Sequence, residues 1–170
     1  VEVEQPDFVP INFDGAQIDL LQHTWDIFAQ NERQIECDFL KLSVQHPSAS
    51  LPDTVQAIAP ERIYVASGAQ MTFCTMNASE GPIYIGENAI IMEGAMLRGP
   101  LFIGDGAVVK MGAKIYGGTT IGPYCKVGGE VNNSVLMGYS NKGHDGFLGN
   151  SVIGYLSLIH ISEPTRLGMI

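Results

Sequence analysis

The sequence predicts a parallel β-helix, and three observations carry that prediction. Aliphatic residues stand at Ile85, Ile91, Leu97, Ile103, Val109, Ile115, Ile121 and Val127, successive positions six residues apart. Four residues after most of them comes a small or compact residue: Ala89, Ala95, Ala107, Ala113, Thr119 and Cys125, with Leu101 and Val131 the larger exceptions. Glycine either follows the aliphatic residue directly, at Gly86, Gly104, Gly122 and Gly128, or stands three after it, at Gly94, Gly106, Gly112 and Gly118. Six is neither the helical period nor one that builds a coiled coil. A fixed period of this length marks short strands joined by turns and stacked into a solenoid, because no single coil can bury its own core.

Three hexapeptides close one triangular coil, so residue i should stack on i+18. Ile85, Ile103 and Ile121 are then one column, Ile91, Val109 and Val127 a second, and Leu97 and Ile115 a third. Weaker segments, VASGAQ from Val65 and residues 71–77, read as an irregular first coil. Past Val127 the phase breaks, and it resumes at Leu148. The intervening NNSVLMGYSNKGHDGF should therefore carry a bulge or small loop, the kind of interruption in which functional residues collect.

The flanks differ in texture. Residues 1–50 are aperiodic, with one helix candidate that Thr24 could cap. Its apolar face would be Trp25, Ile27, Phe28, Ile35, Phe39 and Leu40, with Asn31-Glu32 as a candidate break. Residues 51–62 read as a linker, after a composition shift that brings in Pro47, Pro52 and Pro60. The β-helical domain is expected over 63–155. Residues 156–166, LSLIHISEPTR, resemble a translated transposase adaptor from DNA library preparation. Residues 156–170 are accordingly expected to be a non-native tail on a truncated fragment, and His160, Glu163 and Arg166 receive no functional weight.

Charge narrows the partners. Nine basic residues against eighteen acidic ones give a net charge of −9, which disfavours nucleic acid. Cys37, Cys74 and Cys125 are widely spaced and odd in number, pointing to a reduced, cytosolic protein without a metal motif. No apolar run approaches the ~20 residues of a spanning helix, so no membrane is expected. A zinc site built from histidines of neighbouring coils fails for want of ligands, since only His144 lies in the solenoid. Glu87, Glu93, Asp105 and Glu130 fall at turn positions and read as a solvated face. Tyr116 and Tyr124 read as outward packing residues.

Chemistry is densest from Asn141 to Asn150, where a histidine, lysine, aspartate and two asparagines share ten residues beside Tyr139. An imidazole near its ordinary pKa is a competent general base at neutral pH. The run GHDGFLGNSVIG, from Gly143 to Gly154, resembles the catalytic-histidine motif of hexapeptide acyltransferases. It is similar in particular to the bifunctional family that acetylates glucosamine-1-phosphate and then uridylylates the product. TWDIF followed by Asn31 resembles the end of that family's nucleotidyltransferase half, so residues 1–50 would be its C-terminal remnant.

The resemblance implies an all-β, left-handed parallel β-helix of hexapeptide repeats, assembled as a homotrimer, preceded by a short α-containing remnant. It implies an acetyltransferase with His144 as general base, a sugar phosphate as acceptor and acetyl-CoA as co-substrate. Mg2+ would serve only the absent nucleotidyltransferase half, and thioester contacts would come from coils beyond this sequence. Lys110 stands where the family has a phosphate-binding arginine, and Phe147 where it has a tyrosine. Lys142 or Lys126 would replace the family's later lysines. The expected acceptor set is Lys110, Asn141, Lys142, Phe147 and Asn150. Two other readings remain open: a sugar nucleotidyltransferase whose β-helix only trimerises or regulates it, and a scaffold without chemistry.

Overall fold

A computed structural model describes residues 19–157. The aliphatic residues of the six-residue period turn to a common interior, and the backbone winds round them in coils of three short strands. The first coil holds β1 (Gln56–Ile58), β2 (Ile63–Val65) and β3 (Gln70–Met71); the second β4 (Thr75–Asn77), β5 (Ile83–Ile85) and β6 (Ile90–Ile91). The third holds β7 (Met96–Arg98), β8 (Leu101–Ile103) and β9 (Val108–Val109); the fourth β10 (Lys114–Ile115), β11 (Thr119–Ile121) and β12 (Lys126–Val127). The fifth holds β13 (Glu130–Asn132), β14 (Val135–Leu136) and β15 (Asn141–Lys142), and β16 (Phe147–Gly149) with β17 (Val152–Ile153) begins a sixth.

Equivalent strands pair in parallel into three sheets. The first runs β1-β4-β7-β10-β13-β16, the second β2-β5-β8-β11-β14-β17 and the third β3-β6-β9-β12-β15. All three predicted columns form. Ile85 pairs with Ile103 and Ile103 with Ile121; Ile91 with Val109 and Val109 with Val127; Leu97 with Ile115. Each of these side chains is buried, as are the small residues Ala89, Ala95, Ala107, Ala113 and Cys125 that make room for them. The result is a β-solenoid of about five turns with a core of buried apolar side chains.

The solenoid begins before the expected boundary at residue 63. Gln56, Ala57 and Ile58 pair with Thr75, Met76 and Asn77, so the stretch read as a linker supplies the first strand and a 3-10 turn, Pro60–Arg62. A three-residue strand is too short to display a period, and its prolines sit in the turns around it. Leu51, Val55, Ala57 and Ala59 nevertheless pack against the core.

The helix candidate is one continuous helix, α1 (Asp26–Leu42), with no break at Asn31-Glu32. Thr24 does not cap it; the Asp26 carboxylate accepts the N–H groups of Gln22 and His23, each at 2.8 Å. Asn31 is buried because it anchors α1 to the outer face of the second sheet. Its Nδ2 donates to Gly118 O at 2.7 Å, and Thr120 Oγ1 donates to its Oδ1 at 2.9 Å. A buried amide with both ends bonded avoids the desolvation penalty that an unpaired one would carry. Ile35, one turn further on, is 5 % exposed and adds the apolar contact, while Trp25 and Leu40 stay exposed. On the same sheet face, Tyr64, Tyr84 and Phe102 stack with ring centroids 4.9 Å apart.

Residues 1–18 of the expected remnant, and residues 158–170 of the expected adaptor-derived tail, lie outside the described residues. Ser157 O accepts from Asn141 N at 2.9 Å, so the chain keeps its place beside β15 to that point. Among the described residues, no helix is long and apolar enough to cross a membrane.

Candidate functional site

The break in the repeat is a change in how the chain turns from the third sheet to the first. In the regular coils this corner takes six residues from column to column, as from Val109 to Ile115. After Val127 the next inward residue of the first sheet is Val131, only four on, so Gly128-Gly129 alone make the corner. One coil higher, the chain again takes six residues, from Lys142 to Leu148. The segment 143–146 therefore overhangs a shorter corner.

The two glycines are its seat. A Cβ on Gly128 would stand 2.8 Å from Gly143 O, and one on Gly129 would stand 2.7 Å from Gly146 O. Gly129 also has a φ of 70°, a left-handed value that glycine adopts without steric cost. Glu130 N–H donates to Gly146 O at 3.0 Å, which ties the far end of the overhang to the first sheet.

Lys142 does not reach outward to an acceptor, as the sequence reading expected. It pairs with Val127 in the inward register and is 3 % exposed, so its stem continues the column that Ile91, Val109 and Val127 build below. At the tip, Nζ donates to Gly128 O at 2.9 Å, His144 O at 2.7 Å and Gly146 O at 2.9 Å. An ammonium has three N–H groups, and three carbonyls take them. A buried cation is tolerated only when so satisfied. Burial pushes the Lys142 ammonium below its ordinary pKa, against the opposing charge of Asp145.

His144 sits on the overhang and is an exposed residue. Two other candidates converge at the preceding residue, Gly143. Lys110 climbs past Gly128, and its Nζ lies 2.7 Å from where a Cβ on Gly143 would be. Asn141 Oδ1 lies at the same distance from that same point. This oxygen is buried and has no hydrogen-bond partner among the described residues. A cation and an unsatisfied acceptor thus meet next to the residue preceding the histidine. Lys126 pairs with Asn141 in register and is exposed, so it is this lysine, rather than Lys142, that stands beside Asn141 on the outer face.

Two expected residues are placed differently. Phe147 opens β16 in register with Glu130, is 67 % exposed and folds its ring over Gly149. Asn150 lies at the corner from the first sheet to the second, where its Oδ1 accepts from Asn133 Nδ2 at 2.8 Å. The chain crosses the first sheet between His144 and Asn150, so the structure does not bring Asn150 to the histidine. Its φ of 48°, like Asn133's 43°, marks both asparagines as corner residues, since asparagine tolerates the left-handed region better than most.

A concavity of about 620 Å3 lies elsewhere, on the outer face of the first sheet over the lower coils. Arg98, Lys114 and Tyr116 are among its lining, and none of the candidate residues is. Among the described residues, no group of three His, Cys, Asp or Glu side chains is placed to hold a metal ion. The seat made by Gly128 and Gly129 was not foreseen from the sequence, where two adjacent glycines at a shortened step were the available signal. No protein-family model matches the chain, and no curated protein matches it.

Proposed function

We propose that the corner formed by Lys110, Asn141 and His144 is the acceptor side of an acetyltransferase, moving acetyl from acetyl-CoA to the amine of an amino-sugar phosphate such as glucosamine-1-phosphate. The observation that carries this reading is the convergence of the Lys110 ammonium and the Asn141 Oδ1 at Gly143, the residue before the exposed His144. A lysine supplies a point charge for a phosphate, and the Asn141 amide, once its side chain turns outward, has an acceptor for a sugar hydroxyl or amine. His144 takes a proton from the amine as its nitrogen attacks the thioester carbonyl. The carbon–sulfur bond then breaks, and coenzyme A leaves as the thiolate. A homotrimer of left-handed solenoids in a reduced cytosol goes with this reading.

The test is thiol release from acetyl-CoA in the presence of glucosamine-1-phosphate. His144→Ala should lower kcat/KM by about 10²–10⁴ with the solenoid intact, and Lys110→Ala should raise the acceptor KM. Equal transfer by parent and His144→Ala would end the reading. A second reading has its own support. Asn31 fastens α1 to the second sheet, so the solenoid could serve chiefly to hold an upstream sugar nucleotidyltransferase. Nucleotidyl transfer that survives His144→Ala, with no acetyl transfer by the parent, would favour it.

A further inference from the structure

Filling the third-sheet column needs no charge. Met71, Ile91, Val109 and Val127 fill it with apolar side chains, and another aliphatic residue would continue it without desolvating an ammonium. Lysine fits because its four-carbon stem occupies the same space. What it adds lies at the tip, where the three carbonyls it meets belong to two layers. Gly128 O is part of the seat, and His144 O and Gly146 O are part of the overhang. The ammonium is therefore a bridge from the interior of the solenoid to the carbonyls of the residues on either side of Asp145.

We infer that Lys142 is the positioning residue of this site, an internal cation that holds residues 143–146 down on Gly128-Gly129 and so fixes the direction from which the His144 imidazole meets its acceptor. The role of the imidazole rests on the acetyltransferase reading; the seating of the loop does not. Lys142 touches no reacting atom and acts only through the backbone it holds.

The reporter is the amide of Glu130, whose N–H donates to Gly146 O and is protected only while the overhang is seated. The control is the amide of Lys110, at the corner one coil below the seat, which donates to Val127 O. In Lys142→Met, hydrogen exchange at Glu130 should quicken by about tenfold or more while Lys110 stays as in the parent. Unchanged exchange at Glu130 would overturn the inference. If both amides lose protection together, Lys142→Ala decides, because n-propylammonium supplies the atoms that variant lacks. Recovery of Glu130 protection with propylammonium and not with neutral propanol supports the inference, and equal effects of the two overturn it. In the thiol-release assay, Lys142→Met should lower kcat more than it raises the acceptor KM. A parent chain that transfers no acetyl group would defeat the acetyltransferase reading alone, since the Glu130 exchange still reports the seating.

Discussion

From Ile85 to Val127 and from Val127 to Leu148, the same solenoid is built by different rules. In the lower stretch each column advances eighteen residues per coil, as from Ile85 to Ile103 to Ile121, and every inward side chain of the columns is aliphatic. In the upper stretch the advance drops to fifteen, from Ile121 to Leu136 and from Val127 to Lys142, and a lysine takes an inward place. The lower coils are nearly interchangeable, so any one of them shows what the interior requires: volume without polarity. The upper coil is two residues short at the corner from the third sheet to the first and one short at the following corner. The third-to-first corner one coil higher, of regular length, therefore overhangs it. Its interior has to satisfy backbone carbonyls as well as fill space. Regularity makes the bore stable, and the departure from it creates a place where polar groups converge.

The sharpest way to break that comparison is to empty the regular bore. Ile103 is fully buried between Ile85 and Ile121. Ile103→Ala removes its outer carbons and leaves a cavity that two rigid neighbouring coils cannot close, at a cost of about 2–5 kcal/mol. Urea unfolding followed by circular dichroism would read this directly. A loss below about 1 kcal/mol would mean the coils relax far more than close packing allows, and the contrast with the upper coil would fail.

Most of the bore was legible because it depends on a single property, aliphatic volume, repeated at a fixed interval. Val65 and Leu136 extend the first column although no six-residue phase leads to them, since coils of unequal length shift the count without changing the inward requirement. The site was less legible for three physical reasons. A lysine is usually assigned to the surface, and nothing in the composition around Lys142 announces three carbonyls inside. Asn31 looked like a helix breaker because its value lies in a contact with Gly118, eighty-seven residues away. Asn150 looked like a neighbour of His144 because sequence distance does not say which corner a residue occupies, and one three-residue strand is enough to change corners. Lys110 and Asn141 were identifiable as polar candidates, but their meeting beside Gly143 follows from stacking one coil on another.

Two glycines with nearly the same backbone sharpen the comparison next. Gly112, in the regular stretch, has a φ of 67°, and a Cβ there would meet nothing within 4 Å. Gly129, under the overhang, has a φ of 70°, and its Cβ would stand 2.7 Å from Gly146 O and 2.9 Å from Gly146 N. Alanine at either place has the left-handed penalty of about 1–2 kcal/mol. Only Gly129→Ala must also displace backbone, so it should cost roughly a further 1–2 kcal/mol and quicken hydrogen exchange at the Glu130 amide. Equal unfolding midpoints for the two variants would show that the overhang is not seated on Gly129.

The smallest expected effect concerns the charge itself. Burial lowers the Lys142 pKa from the ordinary 10.5, with Asp145 opposing. Between the lowered value and 10.5 the unfolded chain still binds a proton that the folded chain has released. Stability therefore rises with pH through that window, and below it the folded state bears the cost of a buried cation. Lys142→Met has no such titration, while the tyrosines and the other lysines are common to both chains and cancel in the difference. The stability of the parent relative to Lys142→Met, measured by urea unfolding from pH 8 to 10.5, should grow as the pH rises. A difference that shrinks instead would mean that the carbonyls of Gly128, His144 and Gly146 favour the ammonium more than burial disfavours it. The lysine would then be a net stabiliser of the upper coil in its charged form, and the two stretches would differ in what they are made of but not in how firmly they hold.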